Sequence, residues 1–228
     1  MARTGIIQLK RRLSGFLVFS LFISLFYVSG VQPVYASEVQ NPAEKSDEII
    51  DIGGHWAEKI IKEWVKTGVI EGYPDNTFRP DTPITRAEIA AILNNLMRYQ
   101  AKSESVFSDL GDQWYTEAIL AANASGIILG DDSKVCPEDN ATREETAVMF
   151  SRALDVKDGG VLKFTDSEKI SGWAADTISG MAERGYINGF PDGSFNPKAD
   201  ITRAAVIAMI SNAVKGFYNK AGTYTENI

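Results

Sequence analysis

Three tryptophans, Trp56, Trp114 and Trp173, stand 58 and 59 residues apart, and the chain repeats itself around each of them. Five residues after each Trp comes an isoleucine (Ile61, Ile119, Ile178), and twelve after it a glycine (Gly68, Gly126, Gly185). Isoleucine recurs at fourteen (Ile70, Ile128, Ile187) and glycine at sixteen (Gly72, Gly130, Gly189). A proline follows at 23 or 24 (Pro80, Pro137, Pro197), and a Thr-Arg pair closes each unit (Thr85-Arg86, Thr142-Arg143, Thr202-Arg203). Self-similarity at a fixed period means one supersecondary unit used several times, so the fold is decided by how three such units meet.

Each unit reads helix, loop, helix. In the first, apolar positions at Ile60, Ile61, Trp64 and Val65 make a helical stripe. The glycine at twelve is a natural helix stop, because glycine takes the left-handed conformation without a Cβ clash. The loops GYPDNTFRP, GDDSKVCP and GFPDGSFNP follow, with Phe78, Val135 and Phe195 two residues before the proline as plugs onto a core. In the same register Cys136 aligns with the polar Arg79 and Asn196, which predicts an accessible thiol. A second helix begins at the Thr and carries apolar runs such as IAAILNNL and VIAMISNAV. A unit of about 45 residues buries too little apolar surface to fold alone. The expected fold is therefore all-α, with three helix-loop-helix units sharing one core through their second helices. Closure around a pseudo-threefold axis competes with an open solenoid, and closure is preferred.

Residues 1–36 stand apart. Arg3, Lys10, Arg11 and Arg12 precede an uncharged apolar run at 16–31, and Val34-Tyr35-Ala36 offers a small-residue cleavage site, as in a secretory signal peptide. An uncleaved anchor helix is the other reading, although the run is short for a bilayer span. The leader carries four of the 23 basic residues and none of the 30 acidic ones, leaving 19 against 30 and a net charge of −11 after cleavage. Such a surface repels nucleic acid and anionic lipid, so neither is an expected partner. One cysteine, Cys136, leaves no disulfide framework and no four-thiolate zinc site, and one histidine, His55, is the single candidate for His-based metal or triad chemistry; no metal is expected.

The closing turn has a structural explanation in part. Thr85 with Glu88, and Thr142 with Glu145, fit a capping box, while the third unit keeps Thr202 but has Ala205 in place of the acid. Arg86, Arg143 and Arg203 are not explained by capping, because a cation at the first helical position opposes the helix dipole by about 0.3–1 kcal/mol. An Arg fork beside free helix amides would suit a carboxylate or phosphate; a salt bridge to a neighbouring unit would serve as well. On the ligand reading, Arg→Ala leaves stability unchanged or slightly raised and weakens binding.

A leading Phe/Ile-x-Asp, the Trp, a GYPD-type loop and an ITRAE turn, three times over about 160 residues, resemble the S-layer homology family. The resemblance implies a three-pronged, pseudo-trimeric helical domain whose inter-unit grooves bind a secondary cell-wall polysaccharide bearing pyruvate ketals, fixing the protein non-covalently to the wall of a bacterium. It also implies binding roles for Arg86, Arg143 and Arg203, for Asp51, Asp109 and Asp166, for Trp56, Trp114 and Trp173, and for Gly72, Gly130 and Gly189. For the tryptophans a core position is the commoner alternative. The second unit departs from the pattern at Leu129-Gly130-Asp131, and the third lacks the turn Glu. Grooves built from two units each need not bind equally.

An enzyme is disfavoured, because His55 aligns with Gln113 and Gly172 and no nucleophile elbow, zinc-protease or phosphate-loop motif is present. A calcium loop starting at Asp75, Asp131 or Asp192 would place Pro80, Cys136 or Pro197 where glycine is needed, and Arg86, Thr142 or Arg203 where Glu is needed. No cofactor is expected. A protein-binding or S-layer assembly scaffold on the same helices, contacting other surface proteins, stays open. The expected organisation is a leader at 1–36, a polar linker at 37–48, units at 49–98, 107–154 and 164–216, and a tail at 217–228 that reads as the approach to a strand. The chain is then either a free-standing anchor or a piece of a larger surface protein.

Overall fold

The computed structural model describes residues 49–104, 107–156 and 159–221, with side chains through 215. The expected leader (1–36) and the whole expected linker (37–48) lie outside the described residues. Six α-helices alternate with the loops: α1 (Glu58–Lys66), α2 (Arg86–Met97), α3 (Thr116–Ala124), α4 (Arg143–Ala153), α5 (Gly172–Glu183) and α6 (Arg203–Ala221). A single 3-10 turn, Ser167–Lys169, precedes α5, and no strand occurs among the described residues. The fold is all-α, two helices per unit. The expected tail begins as helix instead, because α6 continues past residue 216 to Ala221.

Local chemistry sets the helix ends. Gly68, Gly126 and Gly185 each take φ +71°, the left-handed step that ends the first helix of their unit. The second helices start at Thr85, Thr142 and Thr202, whose hydroxyls accept from the amides of Glu88, Glu145 and Ala205. Glu88 and Glu145 return the bond, taking the Thr85 and Thr142 amides at 3.0 and 2.8 Å. Ile61, Ile119 and Ile178 are fully buried, as are the loop plugs Phe78 and Phe195, with Val135 at 1% exposure. All belong to one apolar cluster that runs through the three units.

The units close on themselves. Ile84 donates its amide to the Ile201 carbonyl at 3.0 Å, Ile201 to Ala141 at 2.9 Å, and Ala141 to Ile84 at 3.0 Å, a directed ring of three hydrogen bonds with one member per unit. Short antiparallel bridges at Thr85 with Asn140, Thr142 with Asp200, and Pro83 with Thr202 flank that ring. Outside it, α2 packs on α3, α4 on α5, and α6 returns to α1, where Trp64 Nε1 donates to Ser211 Oγ at 2.6 Å. The second helices α2 and α4 also meet each other, so both pack on the first helix of the next unit and towards the centre of the ring. An open solenoid would leave the third unit without the first; here the two are hydrogen-bonded.

Candidate functional site

The ring decides where each Arg can reach. The first two amides of α2, Arg86 and Ala87, donate to the carbonyls of Asp139 and Pro137 in the second unit's loop. Those of α4, Arg143 and Glu144, go to Ala199 and Pro197, and those of α6, Arg203 and Ala204, to Thr82 and Pro80. With the third amide taken by the Thr cap, none of these three helix starts offers the free N–H cluster that sequence suggested. That expectation is corrected: the anion-binding potential sits in the guanidinium groups alone.

Each guanidinium clamps the next unit around the ring. Nε of Arg86, Arg143 and Arg203 donates to the carbonyl of the loop plug there, Val135, Phe195 and Phe78, at 2.8, 2.7 and 2.9 Å. Nη1 of Arg86 meets Glu145 at 3.0 Å, and Nη1 of Arg203 meets Glu88 at 2.9 Å. Arg203 also donates to the Glu71 carbonyl and lies over the rings of Tyr73 and Phe78. Arg203 is a buried charge paired with a partly buried Glu88, and removing one strands the other; the Arg86–Glu145 pair is partly exposed, with side chains at 15% and 32%. The clamp weighs against the expectation that Arg→Ala would spare or raise stability, because the helix-dipole penalty is small beside the bonds that Arg86 and Arg203 make. The capping Glu does double duty, holding its own helix start and neutralising the Arg of the preceding unit in the cycle.

Asp51, Asp109 and Asp166 lie beside the loops and hold them. The Asp51 carboxylate takes the amides of Phe78 and Arg79, both at 2.7 Å. Asp109 takes those of Val135 and Cys136, and Asp166 those of Phe195 and Asn196. The second residue of each pair has positive φ, +57° at Arg79, +48° at Cys136 and +54° at Asn196, an unusual conformation for a residue preceding proline. The carboxylate pins that strained step. Burial pulls the Asp109 and Asp166 carboxyls up, but the paired amides outweigh it and hold both below their ordinary values. The loop glycines are packing requirements: a Cβ on Gly72 would sit 2.9 Å from the Thr77 carbonyl, and one on Gly189 2.7 Å from that of Ser194. Cys136 is free and partly exposed, as the register implied.

The tryptophans are not core residues. Trp56, Trp114 and Trp173 are 66%, 67% and 58% exposed. Trp114 lines a cavity of about 480 Å³ with Gly72, Tyr73 and Glu88 of the first unit and Arg203 of the third. Trp173 lines one of about 500 Å³ with Gly130, Glu145 and Arg152 of the second unit and Arg86 of the first. Each groove therefore draws on all three units, not two. At the loop of the third unit, which carries Gly189, the Arg143 guanidinium lies over the Phe190 ring at 4.7 Å. Sequence reasoning missed Tyr73 and Arg152: Tyr73 donates its hydroxyl to Glu88 at 2.7 Å, and Arg152 adds a second guanidinium beside Arg86.

Three stretches of the chain, residues 51–90, 106–147 and 163–207, match the S-layer homology domain. The chain belongs to the S-layer homology family. Among curated proteins, an amylopullulanase of Thermoanaerobacterium thermosulfurigenes is 36% identical over 70% of this chain and 9% of its own length. A cellulosome-anchoring protein of Acetivibrio thermocellus is 33% identical over 64% of this chain and 35% of its own length. A surface-layer 125 kDa protein of Lysinibacillus sphaericus is 28% identical over 82% and 16%. This S-layer homology chain spans between 7% and 16% of the first three curated relatives it matches. No helix among the described residues is long and apolar enough to cross a membrane.

Proposed function

We propose that this chain is a non-catalytic, non-covalent anchor that holds surface protein on a bacterial cell wall by binding an anionic, pyruvate-bearing wall polysaccharide in the grooves between its units. Family membership and relatives named as cellulosome-anchoring and surface-layer proteins support the anchoring role. One observation carries the glycan reading: in both cavities a guanidinium from one unit, buried at Arg203 and partly buried at Arg86, and an exposed tryptophan from another converge on the loop of the remaining unit. An exposed indole gives a flat apolar platform for a sugar face, and a guanidinium fork suits a ketal carboxylate. The Asp and Gly positions then act by shaping the loop wall. The cyclic hydrogen bonds are the basis on which we read the units as related by a pseudo-threefold axis.

Co-sedimentation with native walls, and with walls chemically stripped of their secondary polysaccharide, tests this reading. Binding is expected to native walls and to be lost on stripped ones. Equal binding to both would favour a scaffold that recognises wall protein or peptidoglycan instead.

A further inference from the structure

The three arginines are not equivalent. Arg86 and Arg203 each have a carboxylate on Nη1, supplied by Glu145 and Glu88. The residue that would serve Arg143 in the same cyclic order is position 205, and there the chain has Ala205. Arg143 is 9% exposed, with Nε on the Phe195 carbonyl at 2.7 Å and Nη2 on that of Asn188 at 3.4 Å. Its Nη1 has no partner among the described residues. Asp166 is the carboxylate whose field reaches it, but both Asp166 oxygens are spent on backbone amides. Glu144, its chain neighbour, is committed to Ser171 and Lys198.

The surroundings of Arg143 differ in a second respect. In the first groove Tyr73 donates to Glu88; the equivalent residue in the third is Phe190, which has no hydroxyl and no Glu to receive one. Phe190 is 44% exposed, with the Arg143 guanidinium 4.7 Å from its ring centre. Nη1 is not sealed in the core, so a largely buried guanidinium presents one open donor beside an aromatic wall, a setting in which an anion makes a charge-assisted pair. Burial pushes Arg143 down from its ordinary value, the direction expected of a cation lacking its counter-ion.

We propose that the third groove is the standing carboxylate site of this domain, open where the other two carry an internal carboxylate, and that Ala205 is the residue that opens it. The proposal rests on the carboxylate-binding reading above and ranks the grooves within it. In the first two grooves an incoming ketal must share its Arg with Glu88 or Glu145. Neither can swing away without also releasing the Thr85 or Thr142 amide it caps. In the third groove nothing has to leave.

The test titrates the full chain with a methyl hexoside 4,6-pyruvate ketal, following the Nε–H resonances of the three arginines by NMR. Arg143 is expected to respond at concentrations at least about tenfold below Arg86 and Arg203, equivalent to about 1.4 kcal/mol. Ala205→Glu, which restores the residue of the other units, is expected to abolish that lead. Ala205→Gln, similar in size but uncharged, is expected to keep it. Simultaneous response of the three arginines, or an Arg143 lead that survives Ala205→Glu, overturns the ranking and leaves carboxylate binding standing. No response at any arginine overturns both.

Discussion

Replacing Arg203 with alanine removes a guanidinium that joins the third unit to the first through three separate bonds. Nε holds the Phe78 carbonyl at 2.9 Å, Nη2 holds Glu71 at 3.0 Å, and Nη1 holds Glu88 at 2.9 Å. The Arg203 side chain is 5% exposed and that of Glu88 16%, so water does not replace the lost donors at full strength. Breaking a buried pair on one side costs about 3–5 kcal/mol. At about 2–4 °C per kcal/mol for a domain of this size, the midpoint should fall by roughly 6–20 °C. Thermal or urea unfolding of Arg203→Ala, Glu88→Ala and the double variant would close a cycle with a coupling of roughly 0.5–3 kcal/mol. Glu88→Ala alone should also lose its cap, worth about 0.5–2 kcal/mol. A midpoint for Arg203→Ala equal to or above the parent would refute the clamp and restore the helix-dipole account.

Trp114→Ala and Trp173→Ala should leave stability within about 0.5 kcal/mol, because the rings are exposed, while weakening wall binding by roughly 1–2 kcal/mol; unfolding curves and sedimentation separate the two. Gly130→Ala should destabilise by roughly 2–4 kcal/mol, since its Cβ would lie 2.5 Å from the Phe107 ring and 2.6 Å from the Lys134 carbonyl at φ +73°. Gly126→Ala, at φ +71° with open space, should cost only about 1 kcal/mol in the same unfolding assay. Asp109 and Asp166 sit below their ordinary value of 3.8, so their contribution is complete above that pH and disappears as pH falls through the lowered folded values. Midpoints should hold down to about pH 5 and drop below about pH 4, less steeply in Asp166→Asn.

Much of the fold was legible because the units repeat in strict register. The register placed the helix stop at Gly68, Gly126 and Gly185 and the cap at Thr85, Thr142 and Thr202, and it marked Phe78, Val135 and Phe195 as plugs. These are local rules, readable within one turn or loop. The arginines were found but half understood, because their partners lie 49, 52 and 125 residues away and only ring closure brings them together. The aspartates were placed on the ligand side by resemblance, whereas their oxygens are filled by loop amides 26 to 30 residues on. One signal could have shown this: in every unit the Asp keeps nearly the same distance to a residue wedged before proline. The exposed tryptophans ran against the usual preference of indole for the core, and exposure is not written in any local pattern.

We propose that the grooves between units read a negative charge on a wall glycan. Calorimetric titration with purified secondary polysaccharide, before and after chemical removal of its pyruvate, measures this directly. Depyruvylation is expected to weaken binding at least about tenfold, the loss of one charge-assisted pair at about 1.4 kcal/mol or more. Undiminished affinity for the depyruvylated polymer would contradict it and leave the guanidinium groups as clamps of the ring and nothing more.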